Sequence, residues 1–116
     1  MTEVFFDGAE KTYGFTINNT PYTRHHSRRV TTMESEAIAL LEALKQAVKE
    51  NHLELHIQGD SKNIISMVLG SSKPPKPLRP IFSEISTYLD HLEYFKINWV
   101  SREENKADGI SRIPSS

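Results

Sequence analysis

The chain contains no cysteine. Disulfides and thiolate metal sites are therefore excluded, and the composition fits the cytoplasm, where the chain is expected to reside. No apolar run approaches the ~20 residues that a membrane-spanning helix needs, so no membrane partner is expected. The first residues enter a charged, strand-like segment directly, which reads as the lack of a secretory signal. The five histidines share no spacing, and with no cysteine beside them a zinc site is not expected. Surplus positive charge is missing as well. The net charge is −1, whereas a surface that neutralises phosphates ordinarily carries an excess of Lys and Arg. That total conceals an uneven distribution. Arg24, Arg28 and Arg29 cluster around His25 and His26, and Lys73, Lys76 and Arg79 form a second basic group. Each cluster also fits an ordinary solvated surface, but acids gathered elsewhere would leave the remainder more basic than the total implies.

With 116 residues, the chain is expected to form one domain, 1–116, with a single core. Residues 3–7, 13–19 and 22–30 read as three strands, with Gly8 in the first connection and Asn18-Asn19-Thr20-Pro21 as a hairpin turn. Thr31 and Glu34 make a Thr-x-x-Glu capping pattern. Ala37, Leu40, Leu41, Leu44 and Val48 then follow at helical spacing, predicting a helix over 33–50 with one face on the sheet. Residues 53–58 alternate as a fourth strand. Ser61 can cap a short helix running to Leu69, which Gly70 ends. Residues 71–80 hold Pro74, Pro75, Pro77 and Pro80, predicting a stiff, basic, extended loop. Ile81, Ile85, Leu89 and Leu92 mark another helix, 95–101 a fifth strand with Trp99 filling core space (stacking on a base is the lesser alternative), and a last short helix starts near Asn105 and ends before Pro114. The order βββαβααβα, with a helix-length link after the hairpin strands, predicts an α/β fold with a five-stranded mixed sheet.

Four carboxylates sit at the ends of these elements. Asp7 ends the run Val4-Phe5-Phe6, Glu36 opens the long helix, Asp60 follows Leu55-His56-Ile57-Gln58-Gly59, and Asp108 lies in Asn105-Lys106-Ala107-Asp108. Each has a plain explanation: Asp7 can begin a turn, Asp60 can cap a helix, Asp108 can favour a helix dipole, and Glu34 fits the capping box better than Glu36. Acids brought together at buried ends, however, repel one another and lose hydration, for which a bound divalent cation compensates. Two such ions about 3.5–4 Å apart can activate water and stabilise the leaving oxygen of a phosphodiester. Magnesium suits oxygen ligands, and no Ser or Cys nucleophile machinery is visible.

Phe6-Asp7-Gly8, Glu36-Ala37-x-Ala39-Leu40, Gly59-Asp60-Ser61 and Val100-x-Arg102-Glu103-Glu104-Asn105-Lys106-Ala107-Asp108 stand in one order across residues 3–112. In these pieces the chain resembles a type 1 ribonuclease H domain. The tail Ala107-Asp108-Gly109-Ile110-Ser111-Arg112 also resembles the ribonuclease H portion of retroelement reverse transcriptases. The resemblance implies a ribonuclease H-like fold and an Asp-Glu-Asp-Asp site, holding two Mg²⁺ or Mn²⁺ ions, that cuts the RNA strand of RNA–DNA hybrids. It implies that Asp7 bridges both ions, that Glu36 and Asp60 serve mainly one of them, and that Asp108 serves the other. Glu36 would lie near the ribose 2′-hydroxyl. Gly8, Thr32, Ser61, Arg102 and Asn105 would contact substrate. The long basic insertion with which some members grip substrate is absent; the loop carrying Lys73, Lys76 and Arg79 falls in about its place and reads either as a plain proline-rich connector or as a grip on the DNA strand. No obligate protein partner is evident, and the chain is expected to be complete by itself.

Several features depart from that family. Thr31-Thr32-Met33 stands where members often carry Thr-Asn-Asn, no histidine lies between His91 and the C-terminus, and the Asn105-to-Asp108 interval is one residue short. A catalytically weak or inactive binding module of the same fold, or a nuclease of that fold acting on DNA, therefore stay open beside the hybrid-cutting enzyme.

Overall fold

The structure, a computed structural model, describes residues 1–109. Three strands come first: β1 (Thr2–Gly8), β2 (Thr12–Ile17) and β3 (Thr20–His25). Asn18 and Asn19 join β2 to β3 with φ of 47° and 71°. Two successive left-handed residues form the tight turn whose twist matches a hairpin, and asparagine tolerates them. This confines the turn to two residues and releases Thr20 and Pro21 to β3. Pro21 is tolerated because β3 lies at the sheet edge. The strand expected over 22–30 stops at His25. Beyond it the chain folds back along the first hairpin, with His26 N donating to the Lys11 carbonyl and Val30 N to that of Glu10.

Thr31 accepts a hydrogen bond from Glu34 N at the start of α1 (Thr32–Lys49), the capping arrangement its sequence predicts. The helix leaves through Asn51, whose φ of 65° supplies the left-handed residue that glycine often provides at this position. Strand β4 (Glu54–Gly59) follows, then α2 (Lys62–Val68), capped by Ser61, α3 (Arg79–His91) and β5 (Tyr94–Trp99). Strands β1, β2 and β3 are antiparallel neighbours, while β4 pairs parallel to both β1 and β5. The sheet order is β3-β2-β1-β4-β5, the five-stranded mixed sheet expected.

Two sequence readings need correction. Residues 71–80 are not extended throughout, because Lys76–Leu78 form a 3-10 turn and α3 begins at Arg79. Pro77 and Pro80 occupy first-turn positions, where a missing N–H costs nothing and the fixed φ suits a helix. Near the C-terminus, Arg102–Glu104 form a 3-10 turn and residues 106–109 form turns; the remainder of the expected last helix lies outside the described residues.

Helix α1 packs on β1 and β2 and also meets α3. Its buried arc is accordingly wide, taking in Ser35, Ala37, Ala39, Leu40, Leu41, Ala43, Leu44 and Ala47. Small side chains let it approach closely, and Val4, Phe6, Phe15, Leu55, Ile57, Ile64 and Ile85 complete the core beneath it. No described helix is long and apolar enough to cross a membrane.

The closest approach is at Gly8. A Cβ there would stand 2.5 Å from Glu36 N and 2.5 Å from Ser35 C, both backbone atoms that cannot step aside. Gly8→Ala is therefore expected to push α1 off the end of β1. Overpacking of this kind costs about 1–3 kcal/mol, a loss of roughly 5–15 °C in melting temperature, which thermal denaturation followed by circular dichroism would detect.

Candidate metal centre

The parallel pairing of β1 with β4, in the register Phe6↔Gly59, brings the ends of the two strands side by side. Asp7 therefore lies next to the residue following Gly59, which is Asp60. A Cβ on Gly59 would stand 2.5 Å from the far end of the Phe6 ring, so glycine is what leaves room for that ring against β4. Helix α1 adds the third. Its close contact with Gly8 places Glu36 over the same strand ends; two residues after Glu34, it points to the other side of the helix. The choice between the two glutamates thus becomes geometric: Glu34 pairs with Arg28 at 3.2 Å, and Glu36 faces the strand ends. One carboxylate oxygen from each of Asp7, Glu36 and Asp60 lies within 4.8 Å of the others.

The electrostatics follow from this crowding. Asp7 is buried. The Glu36 carboxyl is pushed up to about 7, first by burial and then by the charges of Asp7 and Asp60, while a hydrogen bond from Ser61 pulls it back. Three oxygens this close, short of solvent and of like charge, make a donor set suited to a small divalent cation. Hard cations take oxygen ligands at about 2.0–2.6 Å, so ligands of one ion lie within roughly 4–5 Å of each other. The residues fit such an ion.

The other expected site residues divide. Gly8, Thr32 and Arg102 line the cleft together with the three acids and Trp99. Asp108 does not join the cluster; its Oδ1 lies 3.4 Å from Arg102 Nε, so it adjoins the cleft through that guanidinium. Ser61 is half-buried; its hydroxyl caps α2 by accepting from Ile64 N and hydrogen-bonds Glu36. Asn105 is corrected outright. It is buried, its Nδ2 donates to the Phe6 carbonyl at 3.1 Å, and its Oδ1 accepts from Ala107 N at 2.9 Å. With both ends of the amide engaged, it clamps the Asp108 segment to β1 and is not available to substrate. Lys73 and Lys76 are exposed on the connector and do not line the cleft.

Trp99 is the residue the sequence misassigned. It shares strand parity with buried Ile97, which is why alternation assigns it to the core. Yet it is 47% exposed, because it ends the edge strand β5 beyond the cover of the helices. Its Nε1–H donates to the Asp60 carbonyl at 3.1 Å. Only its place directly before the segment carrying Arg102 and Asp108 hinted at this.

A family model described as reverse transcriptase-like matches residues 21–108. Among solved structures, the chain is similar to the RNase H1 of the halophilic archaeon Halobacterium salinarum, with a TM-score of 0.86 and 20% identity over 95% of this chain and 92% of that one. It is similar to the N-terminal RNase H domain of a Mycobacterium tuberculosis protein, with a TM-score of 0.87 and 21% identity over 96% and 90%. It is also similar to LC11-RNase H1, isolated from compost and solved with an RNA/DNA hybrid, with a TM-score of 0.84 and 18% identity over 97% and 94%. No curated protein matches the sequence.

The raised Glu36 carboxyl makes a signed prediction. Between pH 4.5 and about 7 the folded, metal-free protein keeps a proton on Glu36 that the unfolded chain has released. Stability from this group is therefore full below pH 4.5 and is lost as pH rises toward 7. In chelator, Glu36→Gln should melt progressively higher than wild type as pH goes from 5 to 8. Added divalent cation at pH 8 should then stabilise wild type more than the variant, as melting curves at the two pH values would register.

Proposed function

The chain belongs to the reverse transcriptase-like family and has the ribonuclease H fold, and from that premise we propose that it is a metal-dependent endoribonuclease cutting the RNA strand of RNA–DNA hybrids. The observation that carries this reading is the convergence of Asp7, Glu36 and Asp60 within 4.8 Å at the strand ends. The LC11 relative, solved with an RNA/DNA hybrid, supports the same substrate class here.

In this reading Asp7, Glu36 and Asp60 hold Mg²⁺ or Mn²⁺. When bound, the metal supplies Lewis-acid activation of water and neutralises charge building on the phosphodiester. The chain's own residues do the rest. Ser61 orients the Glu36 carboxylate through its hydroxyl. Asp7 is held rigid by the β1 ladder, so its position does not depend on substrate. Thr32, in the first turn of α1, lines the cleft at the helix end where backbone N–H groups favour phosphate. A second ion belongs to the reading, and Asp7 and Asp108 would hold it; Arg102, whose Nε lies 3.4 Å from Asp108 Oδ1, stands at the same margin, where a guanidinium can pair with phosphate.

The test is cleavage of a labelled RNA–DNA hybrid with Mg²⁺ or Mn²⁺. Metal-dependent cutting of the RNA strand is expected. Asp7→Asn and Asp60→Asn should each lower kcat by at least about 100-fold, the order seen when a group stabilising transition-state charge is removed, with the fold intact by circular dichroism. Wild-type cleavage by either variant would show that the assigned acids are wrong. No cleavage from folded protein with either metal would favour a binding module, and preferential cutting of duplex DNA would favour a DNA-directed nuclease.

A further inference from the structure

The cleft holds one large side chain that metal chemistry does not use. Trp99 is 47% exposed, yet it is not loose. Its Nε1–H is tied to the Asp60 carbonyl at 3.1 Å, and the Lys62 ammonium stands 4.7 Å from the ring centroid. The ring lines the same cleft as Asp7, Glu36, Asp60 and Arg102. An indole fixed by a backbone hydrogen bond while much of its apolar surface meets water gives up stabilisation that burial would provide. That arrangement suits a surface covered by a ligand.

We propose that Trp99 and Lys62 form a substrate-positioning platform, in which the indole packs against a sugar of the RNA strand beside the scissile phosphate and Lys62 pairs with a flanking phosphate. This rests on the hybrid-hydrolase reading and names the contact that would align the strand. Bases in a duplex are stacked on one another, so an indole at the cleft wall does not meet a free base. The sugars of an A-like helix, with their 2′-hydroxyls, line a wide and shallow minor groove that a side chain can reach. Lys62 also balances the site. The three central acids repel phosphate until metal arrives, and a cation carried on the indole offers the backbone a contact outside the cluster. Because the residue that holds Asp60 also forms the platform wall, a strand seated on Trp99 is placed relative to the metal ligands through a single hydrogen bond.

Trp99 is the only tryptophan in the chain, so its fluorescence reports on this site alone. Asp60→Asn keeps the backbone carbonyl and blocks turnover, allowing a stable complex with a dye-labelled RNA–DNA hybrid in Mg²⁺. Tryptophan emission should change, and acrylamide quenching should fall, over the same concentrations that raise the anisotropy of the dye. Adding Trp99→Ala to this background should weaken hybrid binding about tenfold, the order expected when roughly 50 Å² of apolar contact is lost, and Trp99→Phe should restore most of it. In the active protein, Trp99→Ala should raise KM more than it lowers kcat. Lys62→Ala should reduce the salt slope of binding by about one.

Binding seen by anisotropy with tryptophan emission and quenching unchanged would overturn the platform and leave the hydrolase standing. So would a Trp99→Phe variant as impaired as Trp99→Ala with the loss in kcat, since that pattern belongs to a residue that only holds Asp60. No hybrid binding by anisotropy would overturn the substrate reading, and the platform with it.

Discussion

Three carboxylates repel one another at the ends of β1 and β4, and the fold has to hold them there against that repulsion. The Glu36 carboxyl at about 7 is the visible consequence, because burial and two neighbouring acids make its ionised form costly. The folded chain tolerates this through rigidity. Asp7 and Asp60 are placed by parallel pairing of neighbouring strands, and Glu36 by a helix packed across them. None of the three hangs on a long flexible loop, so relaxation that would separate them has to disturb the sheet or α1.

The packing that enforces this is made of small residues. Gly8 admits the backbone of Ser35 and Glu36 at the end of β1, and Gly59 admits the ring of Phe6. Ser35, fully buried, donates its hydroxyl to the Thr12 carbonyl at 3.2 Å and lies 2.7 Å from His26 Nε2. The start of α1 is thereby fastened to the hairpin on one side and to the loop after β3 on the other. Glycine at position 8 thus serves helix docking first, and its place in the cleft wall follows from that.

The C-terminal segment is held by a different device. Asn105 substitutes for a strand partner, giving the Phe6 carbonyl a donor and the Ala107 N–H an acceptor. Ala107 is wholly buried beside it. This delivers Asp108 and Arg102 to the margin of the cleft, where they pair with each other. The site thus has an acidic centre on strands and a helix and an ion-paired margin on turns.

Much of this was legible in the chain. Alternation, helical spacing and the caps at Thr31 and Ser61 specified the strands, the helices and their order, since those signals depend on neighbours within a few residues. The acids stood out because each sat at the end or start of a predicted element, and their motifs stood in the order of a known family. Parity misled at Trp99, because alternation says which way a side chain points but not whether anything lies above it. Proline content misled at Pro77 and Pro80, because proline breaks a helix interior but suits its first turn. The role of Asn105, the pairing of Asp108 with Arg102 and the assembly of Asp7, Glu36 and Asp60 were decided only by tertiary structure. The three acids, and Asn105 with Phe6, join residues many positions apart, and the acids meet through strand register and the depth to which α1 sinks onto Gly8; Arg102 and Asp108, six residues apart, meet through the turns between them, and no local pattern encodes either.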